Sequence, residues 1–207
     1  MSPATVDSAA RERRAGMLAI AATAPIALAI WLSIDLLMPP LASMNMLSAR
    51  LIFTAKCCCV ATLFCFVSGI EAVAHERLVS PAFDPLDGYE TRRLRVNLRY
   101  LQNTLEQLIV FVAAVIGLTL YSPDGAAMRS VVATTVVWIV ARFAFWIGYH
   151  RSAAMRSLGA PGVGMTLLIL IYVVGRFGYE IAGIPGAVAP VAAFLLIEAF
   201  LFRATRG

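Results

Sequence analysis

The chain is poor in charge. Only 14% of its 207 residues are Asp, Glu, Lys or Arg, 60% are hydrophobic, and the mean hydropathy is +0.82. That ratio excludes an ordinary water-soluble domain and makes lipid the main solvent. Cysteine is scarce and confined: Cys57, Cys58, Cys59 and Cys65 share one apolar run. Three consecutive helical positions point in different directions and cannot close a metal site, so these thiols read as small packing residues. The two histidines, His75 and His150, have no partner at metal-ligand spacing and read as polar groups at span ends. Internal repeats and low-complexity segments are also lacking. The net charge of +5 is modest, and a basic balance of this kind suits insertion and anionic headgroups. Nothing supports a nucleic-acid partner; the lipid bilayer is the expected one.

What the chain has in quantity is long apolar runs. A span needs about 20 mainly apolar residues to cross a core of roughly 30 Å. Six runs approach this: Met17 to Leu37, Leu51 to Ala74, Leu105 to Tyr121, Val131 to Tyr149, Val163 to Ile184 and Ala187 to Phe202. The last would reach only ~24 Å at about 1.5 Å per residue, so both five and six spans stay open. The first follows "RERR" but is too long for a signal-peptide core and lacks a good cleavage site, so it reads as a retained anchor. Between the second and third runs lies a 24-residue loop, His75 to Leu98, with the turn-rich "VSPAFDPLDGY". All other connections are short, which predicts an all-α, multi-pass bundle with one working loop.

Cytoplasmic loops collect Lys and Arg. With six spans, Arg11, Arg13, Arg14, Arg77, Arg92, Arg93, Arg95, Arg99, Arg151, Arg156, Arg203 and Arg206 share one side, twelve of the seventeen basic residues. Both termini are therefore expected in the cytoplasm, and the membrane is expected to be a bacterial inner membrane.

Two polar stripes break the apolar pattern. In "RYLQNTLE", Arg99, Asn103 and Glu106 fall within about 60° of one helix face. A carboxylate at the start of an apolar tract is costly unless paired or functional. One reading is an intrahelical Arg99–Glu106 pair with Asn103 bonded to a neighbouring helix; the other is a ligand site. In "ARFAFWIGYHRSAAMRSLG", Arg142, Phe145, Tyr149 and Arg156 share a face if the helix continues that far. Together the stripes offer guanidinium groups with a carboxylate, an amide and a phenol, a set suited to a zwitterionic, multiply carboxylated ligand. The alternative for Arg142 and Arg151 is snorkelling to headgroups, and for Arg156 a solvated loop. A transporter built on Arg176 and Glu180 is disfavoured, because residues four apart on one helix can neutralise each other. Lys56 and Glu198 lie near span ends and can snorkel.

"RYLQNTLE" resembles the signature of the MAPEG superfamily, membrane-associated proteins in eicosanoid and glutathione metabolism. "GYHRSAAMR" is similar to the end of that family's third span, and "RLVSP" to its cytosolic loop. The resemblance covers about Leu51 to Ile184, which would make residues 51–184 a four-helix core, with residues 1–50 an N-terminal tail and extra anchor helix, and 185–207 an extra C-terminal helix and tail. It implies a homotrimer that holds glutathione, as co-substrate, between subunits, with its thiol open to a hydrophobic small molecule. Carried over by position, Arg99, Asn103 and Glu106 would bind the glutathione backbone, Arg142 and Tyr149 would line the site, and Arg156 would face the thiol; Arg77 matches a basic residue of the first span loosely. The implied activity is conjugation to hydrophobic electrophiles or reduction of lipid hydroperoxides, with Arg156 and Tyr149 catalytic. A nearby guanidinium favours the reactive thiolate over a thiol of pKa about 8.5. Gln107 and Phe145 stand where glutathione-conjugating members carry tyrosines, which keeps a non-catalytic lipid-binding or scaffold protein as the alternative.

Overall fold

The computed structural model describes residues 3–205, with side chains from Ala10 onward; Arg206, counted above with the basic residues of one side, lies outside them. In lipid the backbone must satisfy its own hydrogen bonds, so each apolar run closes into a helix. The elements are α1 (Pro3–Leu37), α2 (Leu47–Val79), α3 (Arg92–Leu120), α4 (Arg129–Arg151) and a last helical stretch, Ala160–Ala204. All five are long and apolar enough to cross a bilayer, and the described residues contain no strand. The chain is an all-α, multi-pass integral membrane protein.

The last stretch is two helices. At Ala182 and Gly183 the backbone leaves helical geometry, and Gly183 adopts φ 62°, ψ −144°, a conformation open essentially to glycine alone. The chain then doubles back: Gly178 lies against Gly186, and Gly175 near Ala187 and Val191. Pairing that runs in opposite directions along the two halves defines an antiparallel hairpin, α5 (160–181) and α6 (184–204). A Cβ on Gly178 would strike the Gly186 carbonyl, so these glycines are what lets the halves approach. The second half, at about 1.5 Å per residue, is roughly 31 Å long. That removes the length shortfall of Ala187 to Phe202, because the helix begins at Ile184 and runs past Phe202 to gain the missing turn.

The expected 24-residue loop is shorter than its sequence suggested. Helix α2 continues in polar residues to Val79, and α3 starts at Arg92, capped by Thr91, whose hydroxyl oxygen accepts from Leu94 N at 2.9 Å and donates to Glu76 at 3.0 Å. Only residues 80–91 remain between them, stiffened by side-chain caps from Ser80 and Asp84. The apolar tract marked the depth of the bilayer and not the end of the helix, which is why the two boundaries differ.

Helix α2 carries a π-helical turn at Thr62–Val67. Such a turn disturbs the regular carbonyl pairing, and here the Tyr100 hydroxyl of α3 donates to Cys65 O at 2.9 Å, fully buried. About three turns further along α3, Phe111 stacks on Trp138 of α4, with centroids 4.6 Å apart, within the apolar core. Helix α1 docks on α4 through the indole of Trp31, which donates to Thr134 at 3.1 Å.

Candidate functional site

At the end of the bundle where α3 begins and α4 ends, three elements converge on an open cleft of about 580 Å³. Helix α3 contributes Arg99, Gln102, Asn103 and Glu106; α4 contributes Arg142, Phe145 and Tyr149; the linker and the start of α5 contribute Arg156, Ser157, Gly159, Ala160, Val163 and Gly164. Both polar stripes therefore meet in one place.

Arg142 is the deepest of these groups, only 1% exposed. Its guanidinium donates to Asn103 Oδ1 at 3.0 Å and to Thr104 Oγ1 at 2.8 Å. It also lies 4.5 Å from the Phe145 ring centroid and 5.4 Å from that of Tyr100, stacking of the kind that holds a cation. Its Nε is buried without an acceptor. No ion pair with a carboxylate is found for it among the described residues. A buried charge of this kind is costly unless something compensates it.

The anticipated Arg99–Glu106 pair does not form directly. Gln102 stands between the two, its Oε1 accepting from Arg99 at 3.2 Å and its amide donating to Glu106 at 3.3 Å. Gln102 sits three residues from Arg99 and four from Glu106, so the spacing itself could have revealed the bridge. Both charged ends are exposed along the open side of the cleft, where they keep much of their hydration.

Arg156 reaches the cleft by a different route from the one the stripe implied. Helix α4 stops at Arg151, and the chain turns through Ser152 into a 3-10 turn, Met155–Gly159. The turn packs on α4 at Gly148, where a Cβ would collide with Met155 O, and it brings the Arg156 guanidinium 5.9 Å from the Tyr149 ring. A shared face required the helix to continue past Arg151, and it does not. Arg151 is exposed and does not line the cleft.

Of the other sequence candidates, Arg77 lies near the end of α2, away from this cleft, with its Nε buried and unpartnered. Gln107 is likewise absent from the lining. Arg176 and Glu180 make no ion pair; the Glu180 carboxylate accepts from the Tyr121 hydroxyl at 3.4 Å, and Arg176 lies 5.4 Å from that ring. Sequence reasoning missed Thr104, Tyr100 and the support behind them. Asn97 Oδ1 takes the indole N–H of Trp146 at 3.0 Å and meets His150 Nε2 at 3.0 Å, while Trp146 stacks on Tyr100 at 4.5 Å. These residues fix the floor on which Arg142 rests. They look like core positions in the sequence, and only the contacts of Thr104 and Tyr100 with Arg142 distinguish the group.

With Arg99, Arg142 and Arg156 against Glu106, the lining carries three positive charges and one negative. Such a cleft can hold a ligand with several acidic groups and one ammonium, and can stabilise a further negative charge beside Arg156.

Comparison with known proteins gives one match: a model described as the MAPEG family aligns with residues 18–175. The aligned stretch contains every cleft residue. It also takes in most of α1, which the motifs alone had left outside a core starting at Leu51, and stops within α5. No curated protein and no solved structure matches the chain.

Proposed function

Because this chain belongs to the MAPEG family, we propose that the cleft binds glutathione and activates its thiol toward a hydrophobic electrophile or a lipid hydroperoxide. The observation that carries this reading is Arg142, buried and without a carboxylate, in a cleft whose excess of positive charge complements the ligand. Glutathione as thiolate has two carboxylates and a sulfur anion against one ammonium. Its carboxylates would pair with Arg142 and Arg99, and its ammonium with Glu106. Asn103, held by Arg142 at 3.0 Å, would be oriented to bond the peptide.

The thiol would lie beside Arg156, where a positive charge favours the thiolate. In conjugation the sulfur forms a bond to the electrophilic carbon as the carbon–leaving-group bond breaks. The Tyr149 phenol would donate a hydrogen bond to the developing anion. In hydroperoxide reduction two glutathione thiols supply two electrons, and the products are glutathione disulfide, an alcohol and water.

The exposed placement of Arg99 and Glu106, and the distance of Arg77 from its own chain's cleft, support a homotrimer in which a neighbouring copy closes the open side and supplies Arg77. The arginine asymmetry and the hairpin at Gly183 support termini on one side, the cytoplasmic one. A non-catalytic scaffold is the second reading, favoured by Phe145, which presents a bare ring to Arg142 where the family resemblance implies a tyrosine. Turnover decides between them: purified protein given glutathione and a panel of electrophiles and hydroperoxides conjugates or reduces one class if the first reading holds, and binds glutathione without turnover if the second does.

A further inference from the structure

The apolar run of α1 begins at Met17, and its 21 residues, at about 1.5 Å each, already cross a core of roughly 30 Å. The turns before it, from Ala10 to Gly16, therefore stand beyond the bilayer. Glycine is a poor helix former, yet Gly16 sits inside α1 and is buried. Its neighbours explain it. A Cβ at this position would lie 3.0 Å from the Ser157 hydroxyl oxygen and 3.8 Å from Ala154 O, so the missing side chain is what lets α1 come against the linker between α4 and α5.

That linker is clasped from both sides. On α4, a Cβ on Gly148 would strike Met155 O, and the linker's own Gly159 leaves no room for one against Phe145; on α1, Gly16 meets Ser157. Within the linker Ser152 Oγ accepts from Met155 N at 3.2 Å, and Ala154 O accepts from Ser157 N at 3.1 Å. The turn moves together, so a push on Ser157 is carried to Arg156 beside it. Arg156 and Ser157 line the cleft on one side and, on the other, a second cavity of about 690 Å³ between the linker and α1. The guanidinium is exposed, and its contact with the Tyr149 ring, at 5.9 Å, holds it only weakly. The backbone from which it springs decides which space it enters.

We propose that Gly16 is a positioning residue: by seating the N-terminal turns of α1 against Ser157, it holds the linker where Arg156 faces the thiol end of the cleft. That role rests on the glutathione reading; the contact itself does not. Gly16 lies outside the stretch aligned with the family, which begins at residue 18, so the brace is not part of the shared pattern.

Ultraviolet titration of bound glutathione gives the pH midpoint of its thiolate. Calorimetry with the analogue that carries serine in place of cysteine gives affinity for the same carboxylates and ammonium without the thiol. Moving a guanidinium back by about 1–2 Å from a sulfur anion about 4 Å away weakens the attraction roughly four- to tenfold in equilibrium constant, at an effective dielectric constant of about 20. Gly16→Leu should therefore raise the midpoint, lower the thiolate population below it by that factor, and bind the serine analogue as wild type does. Leucine is a better helix former than glycine, so α1 itself is not weakened. Gly16→Ala asks Ser157 to give by only a few tenths of an ångström, and should shift the equilibrium in the same direction by about twofold. Ala22→Leu, at an exposed α1 position that lines neither cavity, should match wild type. An unshifted midpoint in both Gly16 variants overturns the brace and leaves the glutathione reading standing. So does loss of the serine analogue together with the thiolate, because α1 would then hold the whole cleft. A folded wild-type protein that binds neither glutathione nor the analogue overturns both.

Discussion

Replacing Arg142 by methionine separates a ligand-binding cation from a structural one. The side chain is 1% exposed, lacks a carboxylate, and has an unsatisfied Nε. Carrying such a charge in the protein costs several kcal/mol after relaxation. Against this stand two hydrogen bonds, to Asn103 and Thr104, worth about 0.5–1.5 kcal/mol each, and two ring contacts of about 0.5–2 kcal/mol each. Methionine fills a similar volume, the Thr104 hydroxyl can turn to the carbonyl one helical turn back, and Asn103 is half-exposed. These terms nearly cancel, so the ligand-free variant should be within about 2 kcal/mol of wild type, in either direction. With ligand the two must diverge. Glutathione at a hundredfold excess over its Kd stabilises wild type by about 2.7 kcal/mol, whereas loss of one partner of a desolvated charge pair removes about 2–5 kcal/mol of binding. Thermal unfolding in detergent, followed by tryptophan fluorescence with and without glutathione, should show a ligand-induced rise for wild type and none for Arg142→Met. A variant that unfolds far below wild type and is still raised by glutathione to the same extent would make Arg142 a structural residue and refute the reasoning.

Three further outcomes are expected. Glu106→Gln should weaken glutathione by calorimetry much more than Glu198→Gln, which alters an exposed carboxylate outside the cleft lining; equal affinities would leave Glu106 as a helix-surface group. Arg156→Ala should retain much of the glutathione affinity yet lose thiolate ultraviolet absorbance at neutral pH together with conjugation rate, while Arg151→Ala should keep both, because only Arg156 lines the cleft. Reporter fusions after Thr205 and at Asp87 should read the same, cytoplasmic, side, because the hairpin at Ala182–Gly183 returns the chain; opposite readings would mean that the last helix does not cross.

The spans were legible because lipid leaves the backbone few choices: a run of about 20 apolar residues becomes a helix, and the run shows in composition alone. Helix ends were harder. Thr91 and Asp84 cap segments beyond the apolar tracts, so the polar turns at 75–79 and 92–98 read as loop although they are helix. The α3 stripe was readable by angle, since α3 is unbroken from Arg99 to Glu106. The position of Arg156 was expected for a reason that fails, because its place depends on the contact between Gly148 and Met155, which is invisible to a pattern within one helix. Phe145 was readable as a neighbour of Arg142 on one face of α4, but the sequence held no sign that Thr104 and Tyr100 of α3 would close over that guanidinium, since only packing unites the two helices. The return at Gly183 was signalled by "AGIPGA" only as a breaker between runs; the facing pair of Gly178 and Gly186 required the structure.

The most direct test of the central claim is an equilibrium titration of the purified, folded protein with glutathione, read by calorimetry for binding and by ultraviolet absorbance for the thiolate. Saturable binding with thiolate absorbance appearing at neutral pH, both lost in Arg142→Met, is the result the cleft predicts. A folded wild-type protein that takes up no glutathione would contradict it.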